Sequence, residues 1–105
     1  MITQTQIDEV VRRIVEGYQP EKIILFGSYA DGTATEDSDI DLLIIKETDE
    51  DSLSRRLKVG KLLRKLTFPI DTLIYNSQEF TFNVNDKHSF ISSILPNSKL
   101  LFVAV

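Results

Sequence analysis

The segment Asp39-Ile40-Asp41-Leu42-Leu43-Ile44-Ile45-Lys46 constrains this chain more than any other. Residues 42–45 are apolar without alternation, a pattern that suits a strand only when both of its faces are largely covered. Covering both faces takes helices, so the segment implies a small sheet in an α/β arrangement. The other segments supply what this needs. Over residues 5–16, Ile7, Val10, Val11, Ile14 and Val15 recur at helical spacing, with Thr5 and Asp8 as an N-cap arrangement and Gly17 as the stop before Pro20. Lys22–Phe26 has the length and apolar character of a strand; Gly27-Ser28 interrupts it, and a brief helix through Tyr29 and Ala30 breaks near Gly32.

Residues 50–66 read as a second amphipathic helix with Leu53, Leu57, Leu62, Leu63 and Leu66 toward the core. Ile70–Tyr75 follows as a third strand, and Asn76 with Glu79 has the spacing of a capping box. Residues 87–95 look helical up to Pro96, and residues 99–105 are β-prone and apolar, suited to a sheet or to a partner contact. No linker, repeat or low-complexity stretch divides the chain. The expected fold is therefore α/β (α+β), a small mixed sheet with helices packed on it, in one domain over residues 1–105.

Composition narrows the function. A chain of 105 residues has enough apolar surface for one core. It contains no cysteine, which excludes disulfides and thiolate metal sites. No apolar run approaches the ~20 residues of a membrane helix. Residues 1–6 are polar and lack the basic-then-apolar order of a signal peptide, so the expected location is cytoplasmic with no membrane contact. A net charge of −4 argues against direct nucleic-acid binding, which leaves a basic footprint. The basic cluster Arg55, Arg56, Lys58, Lys61, Arg64 and Lys65 reads as a solvated helix face. Acidic residues gather instead over residues 31–41, which points to cations.

Side chains two apart on a strand share a face, so Asp39 and Asp41 point the same way. Two carboxylates at the head of an apolar strand repel each other, and burial penalises both unless a positive charge lies between them. Mg²⁺ suits such a place, because it takes one or two carboxylates and completes its shell with water and phosphate oxygens. Two ions roughly 3.5–4 Å apart clamp the attacking and leaving oxygens of an in-line displacement. The plainer alternative makes Asp39 a loop or cap residue and Asp41 a surface strand residue. Asp37, Asp39 and Asp41 also imitate the opening of a calcium loop, but Leu42 replaces the turn glycine and Thr48 the closing glutamate, which removes that reading.

Gly27 permits close approach of the backbone to a ligand, and Ser28 offers an amide and a hydroxyl at a helix start, where phosphate oxygens are welcome. The plainer reading is a turn with a cap. No Gly-Lys-Ser/Thr is present, so a P-loop is not indicated. Asp71 opens the third strand; it pairs with a Lys or Arg, or completes a three-acid cluster if that strand neighbours the Asp39-Asp41 strand. His88, the single histidine, falls on the expected C-terminal helix, far in sequence from the acids. Tyr29 and Tyr75 read as packing residues. Phe80, Phe82 and Phe90 have the chemistry to stack a base, but core packing is the expectation.

Taken together, Leu25-Phe26-Gly27-Ser28-Tyr29-Ala30, then Gly32 and Ala34-Thr35, then Ser38-Asp39-Ile40-Asp41-Leu42-Leu43 resemble the signature of the polymerase-beta-like nucleotidyltransferases. Ser28 is followed by ten residues and then Asp39, and a later strand carries Asp71. The short chain resembles the minimal nucleotidyltransferase branch, with the likeness running over residues 7–79. The resemblance implies that Gly27 and Ser28 hold the triphosphate of ATP and that Asp39 and Asp41 bind two Mg²⁺ ions. It gives Asp71 a share of the catalytic metal and a role in deprotonating the acceptor. Asp31 stands where family members often carry a basic residue, leaving Lys22 or a partner to supply that charge.

Minimal nucleotidyltransferases of this kind resemble antitoxins paired with HEPN-domain toxins, in which transfer of AMP to a tyrosine of the toxin blocks its RNase activity. The resemblance thus implies a HEPN partner and leaves homodimer and hetero-oligomer both open. Two readings from other classes stand beside it: a silent module that masks a partner, and a stand-alone enzyme acting on a small hydroxylated molecule.

Overall fold

The computed structural model describes residues 1–105. Thr3, not Thr5, starts the first helix. Its hydroxyl accepts the Gln6 N–H at 3.2 Å while the Gln6 side chain accepts the Thr3 N–H at 2.8 Å, a reciprocal cap that satisfies two orphan donors. Helix α1 then spans Gln4–Tyr18 and passes through Gly17, the expected stop. It ends at Gln19, which adopts the left-handed conformation at φ 53° and donates to the Val15 carbonyl. Gly17 serves packing instead: a Cβ there would lie 2.3 Å from a methyl of Leu62.

Strand β1 covers Lys22–Phe26, and the single turn α2 covers Ser28–Asp31, ending at Gly32. Strand β2 covers Ile40–Ile45, α3 Ser52–Leu62 and β3 Ile70–Tyr75. Helices α4 (Ser77–Asn85) and α5 (Phe90–Ile94), a 3₁₀ turn at Leu95–Asn97 and strand β4 (Lys99–Val103) complete the chain. The sheet order is β3-β2-β1-β4. β1 runs antiparallel to β2 and β4, whereas β2 and β3 run parallel, so the sheet is mixed as expected.

β2 is central, and Ile40, Leu42, Leu43 and Ile44 are fully buried. Its even-numbered side chains join Ile23 and Leu25 beneath α1 and α3, against Ile7, Val10, Ile14, Tyr18 and Val59. The odd-numbered ones, Leu43 and Ile45, join Ile24 and Phe26 beneath Ile91 of α5, with Leu73, Tyr75 and Phe80 alongside. Two apolar layers, one on each face, account for the unbroken run at 42–45.

Three expectations need correction. α3 ends at Leu62 rather than continuing to residue 66, and its inward stripe is Arg55, Val59 and Leu62, with Leu63 and Leu66 packing just beyond its end. Leu53 and Leu57 lie off it and are 56% and 57% exposed. Arg55 is therefore not part of a solvated basic face. It is buried, with its guanidinium donating to the carbonyls of Glu50 (2.8 Å) and Ile74 (3.4 Å) and to the Glu79 carboxylate at 2.6 Å.

The C-terminal helix does not begin at residue 87. The Asn76–Glu79 capping box starts α4, and α5 starts only at Phe90, capped by Ser89. His88 therefore sits in the exposed turn between them, its N–H donating to Asp86. Among the phenylalanines, Phe80 packs as expected, but Phe82 and Phe90 are exposed. The C-terminal residues do enter the sheet: Leu101 and Phe102 reach the core while Leu100 and Val103 face outward on the edge strand β4.

Candidate active site

β1 delivers Phe26 and then Gly27 to one end of the sheet. Gly27 has φ 73° and ψ −156°, a region essentially closed to residues with a Cβ. Its carbonyl accepts the N–H groups of Ala30 (3.0 Å) and Asp31 (3.1 Å), which closes the α2 turn. A single turn carries little macrodipole; what it offers at Ser28 is unpaired first-turn N–H groups and a hydroxyl. Ala30 and Tyr29 anchor the turn from behind: Ala30 is buried in the core, and the Tyr29 hydroxyl accepts the Ile2 N–H at 3.0 Å.

Asp41 is the register partner of Phe26 on one side and of Asp71 on the other. Register partners share a face, so Phe26, Asp41 and Asp71 form one row across three strands. β3 is thus the parallel neighbour that the three-acid reading required. Asp41 is half-buried, whereas Asp39, just before β2, and Asp71 are exposed. The Asp41 carboxylate lies against the Gly27 turn, so that a Cβ on Gly27 would come within 2.2 Å of its Oδ2. Burial first, then the charges of Asp71 and Asp39, pushes the Asp41 carboxyl above its usual range.

The fit to a divalent ion follows from this charge pattern. Burial and the neighbouring charges of Asp71 and Asp39 make Asp41 costly to ionise, and an oxygen-seeking cation relieves that cost. No three carboxylates are drawn together tightly enough to enclose an ion on their own. Mg²⁺ does not require that, since one or two carboxylates suffice when substrate phosphates and water complete the shell. The set suits an ion held jointly with a triphosphate.

Lys22 does not supply the positive charge. It lies at the start of β1, the end away from Gly27, with its ammonium 6.0 Å from the Phe80 ring. The Asp31 carboxylate turns into its own loop and accepts the Thr33 N–H (3.0 Å) and hydroxyl (2.6 Å). A hollow of about 310 Å³ lies elsewhere, between α1 and Leu101 of β4. The acids sit on an open rim.

Sequence reasoning passed over Phe26 and misplaced Phe90. Phe90 packs edge-on against Phe26, with ring centroids 6.0 Å apart and planes at 81°. The available signal was Ser89 as a helix cap, which puts Phe90 at a helix start rather than within a buried helix.

A mixed sheet with a Gly-Ser turn laid against strand carboxylates defines a nucleotidyltransferase fold. Residues 6–98 match the nucleotidyltransferase domain family, and the chain belongs to it. A Methanocaldococcus jannaschii protein provisionally named a protein adenylyltransferase is 35% identical over 104 residues, covering 97% of this chain and all of the relative. Among solved structures, a provisionally named nucleotidyltransferase from Sulfolobus solfataricus superposes with a TM-score of 0.66 at 18% identity. The alignment covers 92% of this chain and 77% of the other. A toxin–antitoxin complex with AMP-PNP superposes with a TM-score of 0.61 at 22% identity, covering 92% and 73%. No helix is long and apolar enough to cross a membrane.

Proposed function

We propose that this chain transfers AMP from ATP to a hydroxyl of a protein acceptor, and that the acceptor is a tyrosine of a HEPN-type toxin that the chain thereby neutralises in the cytoplasm. The observation that carries the chemical part is the row Asp41–Asp71 with Gly27 packed on Asp41. The relative named as a protein adenylyltransferase and the toxin–antitoxin complex with a bound ATP analogue support the choice of nucleotide, acceptor class and partner.

In this reading the Gly27-Ser28 turn receives the triphosphate through backbone N–H groups and the Ser28 hydroxyl. Asp39 and Asp41 would hold the metal sites, with Asp71 sharing one of them, and Mg²⁺ held there would supply neutralisation of phosphate charge and polarisation of the α-phosphorus. Asp71 takes up the proton of the acceptor hydroxyl. The acceptor oxygen forms its bond to the α-phosphorus as the bond to the β-phosphate oxygen breaks, and pyrophosphate leaves. The protein's contribution is position and charge.

The test is transfer of α-labelled ATP with Mg²⁺ in host lysate, comparing wild type with an Asp39→Asn/Asp41→Asn double variant. Label on one protein band with wild type alone is the expected result. Label on a small molecule would instead make the chain a stand-alone enzyme. Equal signals from both proteins would overturn the enzymatic reading and leave a masking module.

A further inference from the structure

We propose that the exposed ring of Phe90 is the platform on which the nucleoside base stacks, an inference that rests on the nucleotidyl-transfer reading of the same site. Phe90 is 56% exposed, yet it is fixed in place. Ser89 caps α5 by accepting the Ser92 N–H at 3.1 Å, and its hydroxyl donates to the Asn83 carbonyl at 2.6 Å. The Ser92 hydroxyl donates to the Asp86 carbonyl at 2.8 Å. These bonds tie the start of α5 to the end of α4, and the Phe26 ring braces Phe90 from below.

Position makes this ring different from other exposed apolar side chains, which are ordinary when scattered. Phe26 stands beside Asp41 in the sheet and immediately precedes Gly27. One strand spacing of roughly 5 Å and one ring-to-ring distance of 6.0 Å therefore separate Phe90 from the catalytic row, on the same face. A nucleotide with its phosphates at Gly27 and Asp41 extends its base over a span of that order. The site otherwise has an open rim with no walled pocket for a base. An aromatic face needs no such pocket, because every base has a π-face to offer it. Phe82 is more exposed, at 74%, but sits on α4 and is not braced against the sheet row.

The test measures binding of two probes with Mg²⁺ present: a non-hydrolysable ATP analogue and inorganic triphosphate, which has no base. Phe90→Leu keeps apolar volume on Phe26 but removes the flat ring. It is expected to weaken the ATP analogue about tenfold and leave inorganic triphosphate unchanged, while Phe90→Tyr restores the analogue and Phe82→Leu changes neither. Unchanged analogue binding in Phe90→Leu would overturn the platform, as would equal loss of both probes, which would mark a structural role. Failure of wild type to bind either probe would overturn the nucleotidyl-transfer reading itself, and the platform with it.

Discussion

The position a Cβ would take on Gly27 lies 2.2 Å from Oδ2 of Asp41, well inside contact distance. The glycine of the turn and the carboxylate of the strand are therefore one unit: the turn closes against Asp41 only because no side chain stands between them. φ at 73° adds a second reason, since the backbone there is open essentially to glycine alone.

Gly27→Ala should therefore fail in two ways. The backbone strain costs about 1–3 kcal/mol, and the methyl displaces the Asp41 carboxylate from the row. Urea unfolding should show the loss of stability, and the transfer assay a drop larger than unfolding explains. Full transfer by a folded Gly27→Ala protein would show that the contact is not needed.

Asp41 stores electrostatic stress. Burial, then Asp71 and Asp39, raises its carboxyl above 3.8, so the native state binds this proton more readily than the unfolded chain. Such a group favours folding below the unfolded value, and that contribution is lost as pH rises through the folded value. Asp41→Asn is therefore expected to unfold at a higher temperature than wild type near pH 7, with the difference shrinking toward about pH 3. The same variant should lose transfer by on the order of 10³-fold. Thermal scans across pH, paired with the transfer assay, check both. A variant less stable than wild type at neutral pH would show that the carboxylate is held by something other than repelling neighbours.

Arg55 and Val59 define the inward stripe of α3, and substitutions should follow that stripe rather than residue type. Val59→Ala should cost about 2 kcal/mol from lost burial and the cavity left behind. Arg55→Leu should cost about 1–3 kcal/mol by removing the guanidinium that serves the Ile74 and Glu50 carbonyls and by leaving the Glu79 carboxylate only the Asn76 N–H. Leu53→Gln and Leu57→Gln should stay within about 0.5 kcal/mol.

Glu79 adds a pH signature. Burial pushes its carboxyl up, but the Asn76 N–H and the Arg55 guanidinium outweigh it and hold the group below 4.5. The stability this gives is present above 4.5 and fades as pH falls through the folded value, and Arg55→Leu should flatten that acid limb. Denaturant titrations of the set decide the face: comparable losses for Leu57→Gln and Val59→Ala would contradict it.

The central strand β2 and the need for a helix on each of its faces were legible in the sequence alone. They were legible because residues 42–45 are apolar at every position; Asp39 itself falls just before the strand, which begins at Ile40. The Asn76–Glu79 cap was legible for the same reason, since local hydrogen bonding sets it. Tertiary structure decided what depends on partners distant in the chain. Leucine at 53 and 57 signalled a core face, yet Arg55 took the interior because carbonyls and a carboxylate from β3, α4 and the preceding loop were there to satisfy it.

Gly17 read as a helix stop and proved to be the place where Leu62 packs against α1. The pairing of Asp41 with Asp71, the closing of Gly27 on Asp41 and the bracing of Phe90 by Phe26 all join residues from separate elements. Local pattern reports which face a side chain takes along its own strand or helix. Which side chain it meets there depends on strand order and register, and those are fixed only when the whole sheet assembles.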